Sequence, residues 1–168
     1  MNNPMLCACA VVLAALSVAS AQTKTTMSGK CGKAAFQQSI PVGDELGHAY
    51  SVAQGKCSAM QELNGMSAKE GSYSEHADVT TTQMKNWGVY IESFDNGDKI
   101  LYSYQGMGSM KDGAFDAGTN KYQIISGTGK LSGIKGSGTC KLTGDSDGGL
   151  DYYCTGTYSL GEAPAKPY

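Results

Sequence analysis

Two histidines and the carboxylates near one of them are the first candidates for chemistry in this chain. His48 follows Asp44 and Glu45 within four residues, and His76 is the second histidine. Two imidazoles and a carboxylate could bind zinc or carry out acid–base catalysis. A surface turn with a hydrogen-bonded histidine is the more ordinary interpretation, because Asp44 to His48 leads from a predicted turn at Pro41–Asp44 into a strand. We therefore predict no metal site and no cofactor.

Other acidic residues give weaker signals. Glu92 could be a cavity acid with a raised pKa, but the strand register derived below points it outward. Asp145, Asp147 and Asp151 resemble a calcium loop, yet the twelve-residue pattern and its final glutamate are missing, which favours a plain acidic hairpin turn. A Gly-x-Ser-x-Gly spacing occurs at Gly144–Gly148, but it lies in the turn of the predicted final hairpin and not between a strand and a helix, so a hydrolase is disfavoured. The sequence leaves the catalytic residues, and whether there are any, unknown.

Composition limits the class of protein. The chain has 168 residues and a net charge of −2, which suits one soluble domain. All 13 basic residues are lysines, and they are dispersed. Because arginine is the usual bidentate reader of phosphate and guanine, nucleic-acid binding is disfavoured. The 23 glycines follow no Gly-X-Y period, so they indicate many turns and bends.

The first 21 residues have the pattern of a secretory signal peptide. Leu6–Val18 is a short apolar run, and Ala19–Ala21 is a small-residue cleavage site. We predict that residues 1–21 are removed, that the mature chain begins at Gln22, and that it is periplasmic or secreted without stable membrane insertion. The alternative is lipidation at Cys9, which faintly resembles a lipobox cysteine.

Four cysteines remain after the predicted cleavage. An even number in an exported chain suggests two disulfides, for which three connectivities exist. A predicted final hairpin centred on Asp147 places Cys140 opposite Cys154, and Cys31–Cys57 follows by elimination. A zinc site is disfavoured, because no Cys-x-x-Cys spacing occurs.

The clearest hairpin signal lies between Trp87 and Met110. Asn96-Gly97 is the favoured pair for a two-residue type I′ turn. Centring the turn there pairs Ile91 with Tyr102 and Val89 with Tyr104, so that apolar residues face one another. This register predicts the residues that line the interior: Trp87, Val89, Ile91, Tyr102 and Tyr104.

A glycine-rich corner and the spacing of the strands predict the fold. Five glycines fall between Gly127 and Gly138, where one strand ends and another runs back. With seven or eight short strands and almost no helix, we predict an all-β protein, a small antiparallel closed barrel. The predicted domain is 22–168, with a loose N-terminal arm at 22–38 and a tail at 161–168.

The same corner carries a family resemblance. Gly127-Thr128-Gly129, Leu131, Gly133 and Gly136, preceded by Ile124-Ile125, resemble a signature of the plant allene oxide cyclases and dirigent proteins. The span WGVYIESFDNGDKILYSYQGMG is similar to exported bacterial proteins of the same calycin-like barrel. The resemblance implies that fold over about 39–160. It carries over no catalytic set: the cyclases' glutamate, proline, asparagine and cysteine have no counterparts that the sequence places, and the arginine of dirigent cavities is absent.

Three function classes follow. The first is an exported barrel that binds a small apolar or aromatic molecule, with Asp44, Glu45 and His48 at the cavity rim. The second is a cyclase or isomerase resembling allene oxide cyclase. The third is a structural or interaction module with a filled core. The sequence does not predict the oligomeric state.

Overall fold

The protein is built almost entirely from strands. The computed structural model describes residues 22–161, so the predicted signal peptide and all but the first residue of the predicted tail lie outside the described part. The strands are β1 (Thr23–Cys31), β2 (Phe36–Pro41), β3 (Ala49–Ser58), β4 (Glu62–Leu63), β5 (Met66–Val79), β6 (Gln83–Phe94), β7 (Lys99–Lys111), β8 (Ala114–Gly127), β9 (Lys135–Gly144) and β10 (Leu150–Ser159). No helix in residues 22–161 is long and apolar enough to cross a membrane.

Eight of these strands form a closed antiparallel ring. Its order is β3, β5, β6, β7, β8, β9, β10 and β1, and the ring closes where Cys31 of β1 pairs with Cys57 of β3. Strand β2 lies outside the ring and pairs with β3, and β4 forms a short hairpin with the start of β5. The predicted all-β closed barrel of about eight strands is confirmed.

The N-terminal segment differs from its prediction. Residues 22–38 were expected to form a loose arm, but β1 pairs along its whole length with β10, from Thr23 opposite Tyr158 to Cys31 opposite Leu150. Strand β1 therefore completes the barrel wall. The segment was expected to be loose because its sequence is polar and rich in threonine and lysine. Such a composition also fits a strand that has one face toward solvent.

The β6–β7 hairpin has a different register from the predicted one. Phe94 donates its N–H to Asp98 O at 2.9 Å, which leaves a three-residue loop, and Gly97 has φ +86°. This is the three-residue hairpin with a left-handed third residue, in place of the two-residue type I′ turn. As a result Tyr90 pairs with Tyr102 and Glu92 with Ile100. The shift by one residue reverses the faces of β6 relative to the prediction.

Both predicted disulfides are present. Cys140 and Cys154 are directly opposite in β9 and β10, in the register centred on Asp147, and they are bonded. The second disulfide joins Cys31 and Cys57. This bond lies at the point where β1 meets β3, so it covalently closes the ring. Two disulfides indicate an oxidising compartment.

Apolar side chains fill one end of the barrel. The glycine-rich corner forms a single 3-10 turn, Gly129–Leu131, with φ +53° at Gly129 and +76° at Gly133, values that favour glycine. This geometry turns Leu131 inward, where it is fully buried. The neighbouring buried residues at this end are Leu63, Met66, Phe94, Ile100 and Ile134.

Tyrosine rings lie over glycines along the inner wall. At Gly71, for example, a Cβ would overlap the ring and hydroxyl of Tyr90. A glycine on one strand thus makes room for the tyrosine of another, an arrangement known to stabilise glycine-containing strands. The pairs are Gly29 with Tyr152, Gly55 with Tyr73, Gly71 with Tyr90, Gly88 with Tyr104, and Gly138 and Gly156 with Tyr122. This explains much of the glycine excess.

Candidate functional site

A cavity of about 130 Å³ lies inside the barrel, on the side of the core away from Leu131. Its wall is mostly aromatic and aliphatic, because the inward positions of successive strands carry tyrosine, methionine, leucine and cystine. The aromatic and aliphatic lining residues are Tyr73, Tyr90, Tyr102, Tyr104, Tyr122, Tyr152, Phe115, Met27, Met84, Leu142 and Leu150, together with both disulfides. Such a wall favours apolar or aromatic guests.

One carboxylate, Glu75, faces this cavity. Its Oε2 accepts hydrogen bonds from Asn86 Nδ2 at 2.8 Å and from Tyr104 Oη at 3.0 Å. Burial raises the pKa of Glu75 above its ordinary value, and the two donors oppose that rise because they favour the charged form. The strands β5, β6 and β7 supply one residue each, so the group is held by adjacent parts of the wall.

A second acid, Glu92, is buried behind the wall. It is fully buried, and its Oε2 accepts a hydrogen bond of 2.8 Å from Tyr102, whose ring lines the cavity. Its Oε1 has no partner within the described chain. Burial raises the pKa of Glu92 to about 7, while the Tyr102 hydrogen bond lowers it. The expectation that Glu92 points outward is therefore wrong, and the hairpin register is the reason.

The tyrosine hydroxyls form a directed set of hydrogen bonds. Tyr152 donates to the Ser58 carbonyl at 3.0 Å, so Tyr90, whose Oη lies 3.1 Å from the Tyr152 Oη, donates to Tyr152. Burial raises the pKa of Tyr152 to about 12 and raises the pKa of Tyr90 further. These phenols therefore stay protonated at neutral pH, and the carboxyls alone can carry charge in the wall.

Three of the five predicted lining residues lie on the outside. Trp87, Val89 and Ile91 are 46%, 41% and 38% exposed, because β6 presents its other face to the interior. The prediction that they point inward is wrong. Tyr102 and Tyr104, on β7, do line the cavity.

The predicted rim residues form a separate cluster. His48 Nδ1 lies 2.7 Å from Asp44 Oδ1, and its Nε2 lies 2.9 Å from Asp78 Oδ1. The hydrogen bond to Asp44, with that to Asp78, raises the pKa of His48 above its ordinary value, although burial lowers it. None of Asp44, Glu45 and His48 lines the cavity. The cluster ties the β2–β3 loop to β5.

Other candidate ligands for a metal are dispersed or otherwise engaged. His76 lies on β5, where its ring stacks on Trp87 at a centroid distance of 6.1 Å. Asp145 binds Lys30 Nζ at 2.9 Å and accepts N–H groups of its own turn, as an acidic hairpin turn does. Within residues 22–161, no group of three His, Cys, Asp or Glu side chains is arranged to hold a metal ion.

Comparison with known proteins shows what this barrel is similar to. The sequence matches no protein-family model and no curated protein. Among solved structures, the pterocarpan synthase dirigent protein GePTS1 is similar with a TM-score of 0.50, over 83% of this chain and 92% of that chain, at 12% identity. The fold is a dirigent-like β-barrel. The pterocarpan synthase dirigent protein PsPTS1 is 12% identical, with a TM-score of 0.46 over 83% and 95% of the two chains.

At 12% identity the dirigent likeness describes the fold alone, so the site must be argued from its own residues. Sequence reasoning missed Glu75, Asn86 and Asn120, which line the dirigent-like barrel together with the tyrosines. One weak signal was present: Gly71-x-Tyr73 and Gly88-x-Tyr90 place glycine and tyrosine on the same face of a strand. The spacing puts Asn86, Tyr90 and Glu92 on one face, but it does not say that this face is the inner one.

Proposed function

We propose that the protein binds one small, largely apolar or aromatic molecule in the barrel cavity. The observation that carries this proposal is the cavity of about 130 Å³ with an aromatic and aliphatic wall and few polar groups. An engineered cavity of about 150 Å³ in another protein binds benzene, so a molecule with a single ring has the right size. Apolar burial supplies the affinity, and the few polar groups orient the guest.

The proposal extends to where the protein works. Two disulfides and the signal-like residues 1–21 support an exported protein that acts in an oxidising compartment, either periplasmic or secreted. We expect N-terminal sequencing of the exported protein to begin at Gln22, because Ala19–Ala21 is the cleavage pattern. A mature terminus at an acylated Cys9 would contradict this expectation.

A second candidate function is a cyclase or isomerase, and one observation favours it. Glu92 has its pKa raised to about 7 and is joined to the cavity wall by the Tyr102 hydroxyl. A carboxyl that titrates near neutral pH can both donate and accept a proton, as general acid–base catalysis requires. The ligand-binding proposal is preferred, because the cavity supports it without assuming a reaction. The filled-core module is disfavoured by the same cavity.

A panel of single-ring compounds tests the binding proposal. We expect toluene and benzyl alcohol to bind the wild type, with a negative heat-capacity change and little salt dependence in titration calorimetry. Leu142→Phe should weaken binding by about tenfold or more, because the added ring occupies the cavity. Ile91→Ala should leave binding unchanged, since Ile91 lies on the outer face.

The rival is a barrel whose interior is closed to guests. Tyr104→Ala distinguishes the two, because it enlarges the cavity. If the wild type binds none of the compounds and Tyr104→Ala binds them, the natural interior is effectively full and the binding proposal is wrong.

A further inference from the structure

We propose that the guest of this cavity is a small aromatic or alkyl amine whose protonated nitrogen pairs with Glu75. The inference rests on the proposed binding function and adds the chemical class of the ligand. Three features of the wall support it: the geometry of the Glu75 carboxylate, the distribution of charge, and the direction of the tyrosine hydroxyl protons.

The Glu75 carboxylate is held with one oxygen free. Asn86 Nδ2 and Tyr104 Oη both donate to Oε2, at 2.8 and 3.0 Å. No described residue donates a hydrogen bond to Oε1. A carboxylate that is fixed through one oxygen presents the other to a ligand in a defined direction, so little ordering remains to be done when a donor arrives.

In the described part of the chain, the cavity wall contains an acidic side chain but no basic one. Glu75 is a half-buried acid, and no lysine, arginine or histidine is among the residues that line the cavity. Partial burial without a positively charged partner disfavours the ionised form, so the pKa of Glu75 is raised even though Asn86 and Tyr104 donate to the carboxylate. A bound cation would offset that cost, whereas a bound carboxylate would add to it. The wall therefore selects for positive charge and against negative charge.

The aromatic residues reinforce this selection. The hydroxyl protons of Tyr104, Tyr152 and Tyr90 are engaged with Glu75, the Ser58 carbonyl and Tyr152, respectively. What these hydroxyls offer a guest is oxygen lone pairs, which accept hydrogen bonds from an ammonium group. Tyrosine rings also attract cations through their π faces, as in the aromatic cages that bind alkylammonium groups. An amine uses both properties.

Three compounds of one shape test the ligand class. Benzylamine, benzyl alcohol and benzoate share the ring and differ in charge, and each is titrated calorimetrically into the wild type at mildly alkaline pH. We expect benzylamine to bind about tenfold or more tightly than benzyl alcohol, and benzoate to bind most weakly. The preference should fall with salt less steeply than for an exposed ion pair, because the site is buried.

The matched variants are Glu75→Gln and Glu70→Gln. Both remove one carboxylate from β5, but Glu70 is exposed and does not line the cavity. Glu75→Gln should reduce benzylamine binding to the level of benzyl alcohol, whereas Glu70→Gln should preserve the preference. A thermal melt of each variant checks that the barrel is intact.

The outcomes separate this inference from the proposed function. If benzyl alcohol binds as tightly as benzylamine, the amine inference is overturned while the binding function stands. If none of the three compounds binds, the binding function fails as well. Should Glu75→Gln not fold, the ranking of the three compounds on the wild type still decides, because benzoate binding equal to benzylamine binding also overturns the inference.

Discussion

Replacing Gly71 with alanine should lower the free energy of unfolding by about 3 kcal/mol, the upper end of the usual cost of overpacking a core. The added Cβ would overlap the Tyr90 ring and hydroxyl, and Tyr90 is fixed by its hydrogen bond to Tyr152. Neither the backbone of β5 nor the ring can move away without disturbing neighbouring strands. Denaturant unfolding followed by far-UV circular dichroism measures the change.

Two controls isolate the contact between the glycine and the tyrosine. Gly32→Ala should change stability little, because a Cβ there meets nothing within 4 Å. The double variant Gly71→Ala/Tyr90→Leu should lose less stability than the sum of the losses of the two single variants. We expect the difference to be about 1–2 kcal/mol, as is usual for residues in contact. Strict additivity would mean that the ring and the glycine do not constrain each other, and the explanation of the glycine excess would fail.

Replacing Glu92 with glutamine should remove a large pH dependence of stability. The pKa of Glu92 is raised from 4.5 to about 7 by burial, so the folded protein holds this proton more tightly than the unfolded chain does. The wild type should therefore lose about 3 kcal/mol of stability as the pH rises from about 4.5 past about 7. The contribution of Glu92 to stability is therefore greatest below about pH 4.5, where its carboxyl is protonated in both the folded and the unfolded protein.

The measurement compares the two proteins across that pH range. Urea unfolding at several pH values should show the wild type losing stability relative to Glu92→Gln as the pH rises. Glu75 and His48 also have raised pKa values and contribute slopes of the same sign, but those slopes are common to both proteins. If the difference in stability between the two proteins did not change with pH, Glu92 would titrate at its ordinary pKa. That result would contradict the raised pKa that follows from its burial.

The fold could be predicted from local signals that agree with one another. The β9–β10 hairpin followed from one turn and two cysteines, because a centre at Asp147 gives Cys140 and Cys154 a shared face. The glycine-rich corner likewise indicated a tight reversal, and it forms one at Gly129–Leu131. In both cases turn chemistry and side-chain pattern led to one register, which is the condition under which sequence reasoning is reliable.

The part of the cavity lining that β6 supplies could not be predicted, because the inward face of this strand depends on a single residue of register. Asn96-Gly97 is compatible with a two-residue and a three-residue loop, and the flanking residues are apolar on both faces, so the pattern does not choose. Glu75, Asn86 and Tyr104 lie on three consecutive strands, β5, β6 and β7, and they can be placed beside one another only when the registers of both hairpins are known.

Trp87, the one tryptophan of the chain, stacks on His76 at the outer surface, while six tyrosines face the cavity. The two kinds of chromophore therefore report on different sides of the same wall. Emission from the indole follows events at the outer face of β6, and the near-ultraviolet signals of the phenols follow the occupancy of the interior. Tryptophan fluorescence alone would therefore show little change when a ligand fills the cavity.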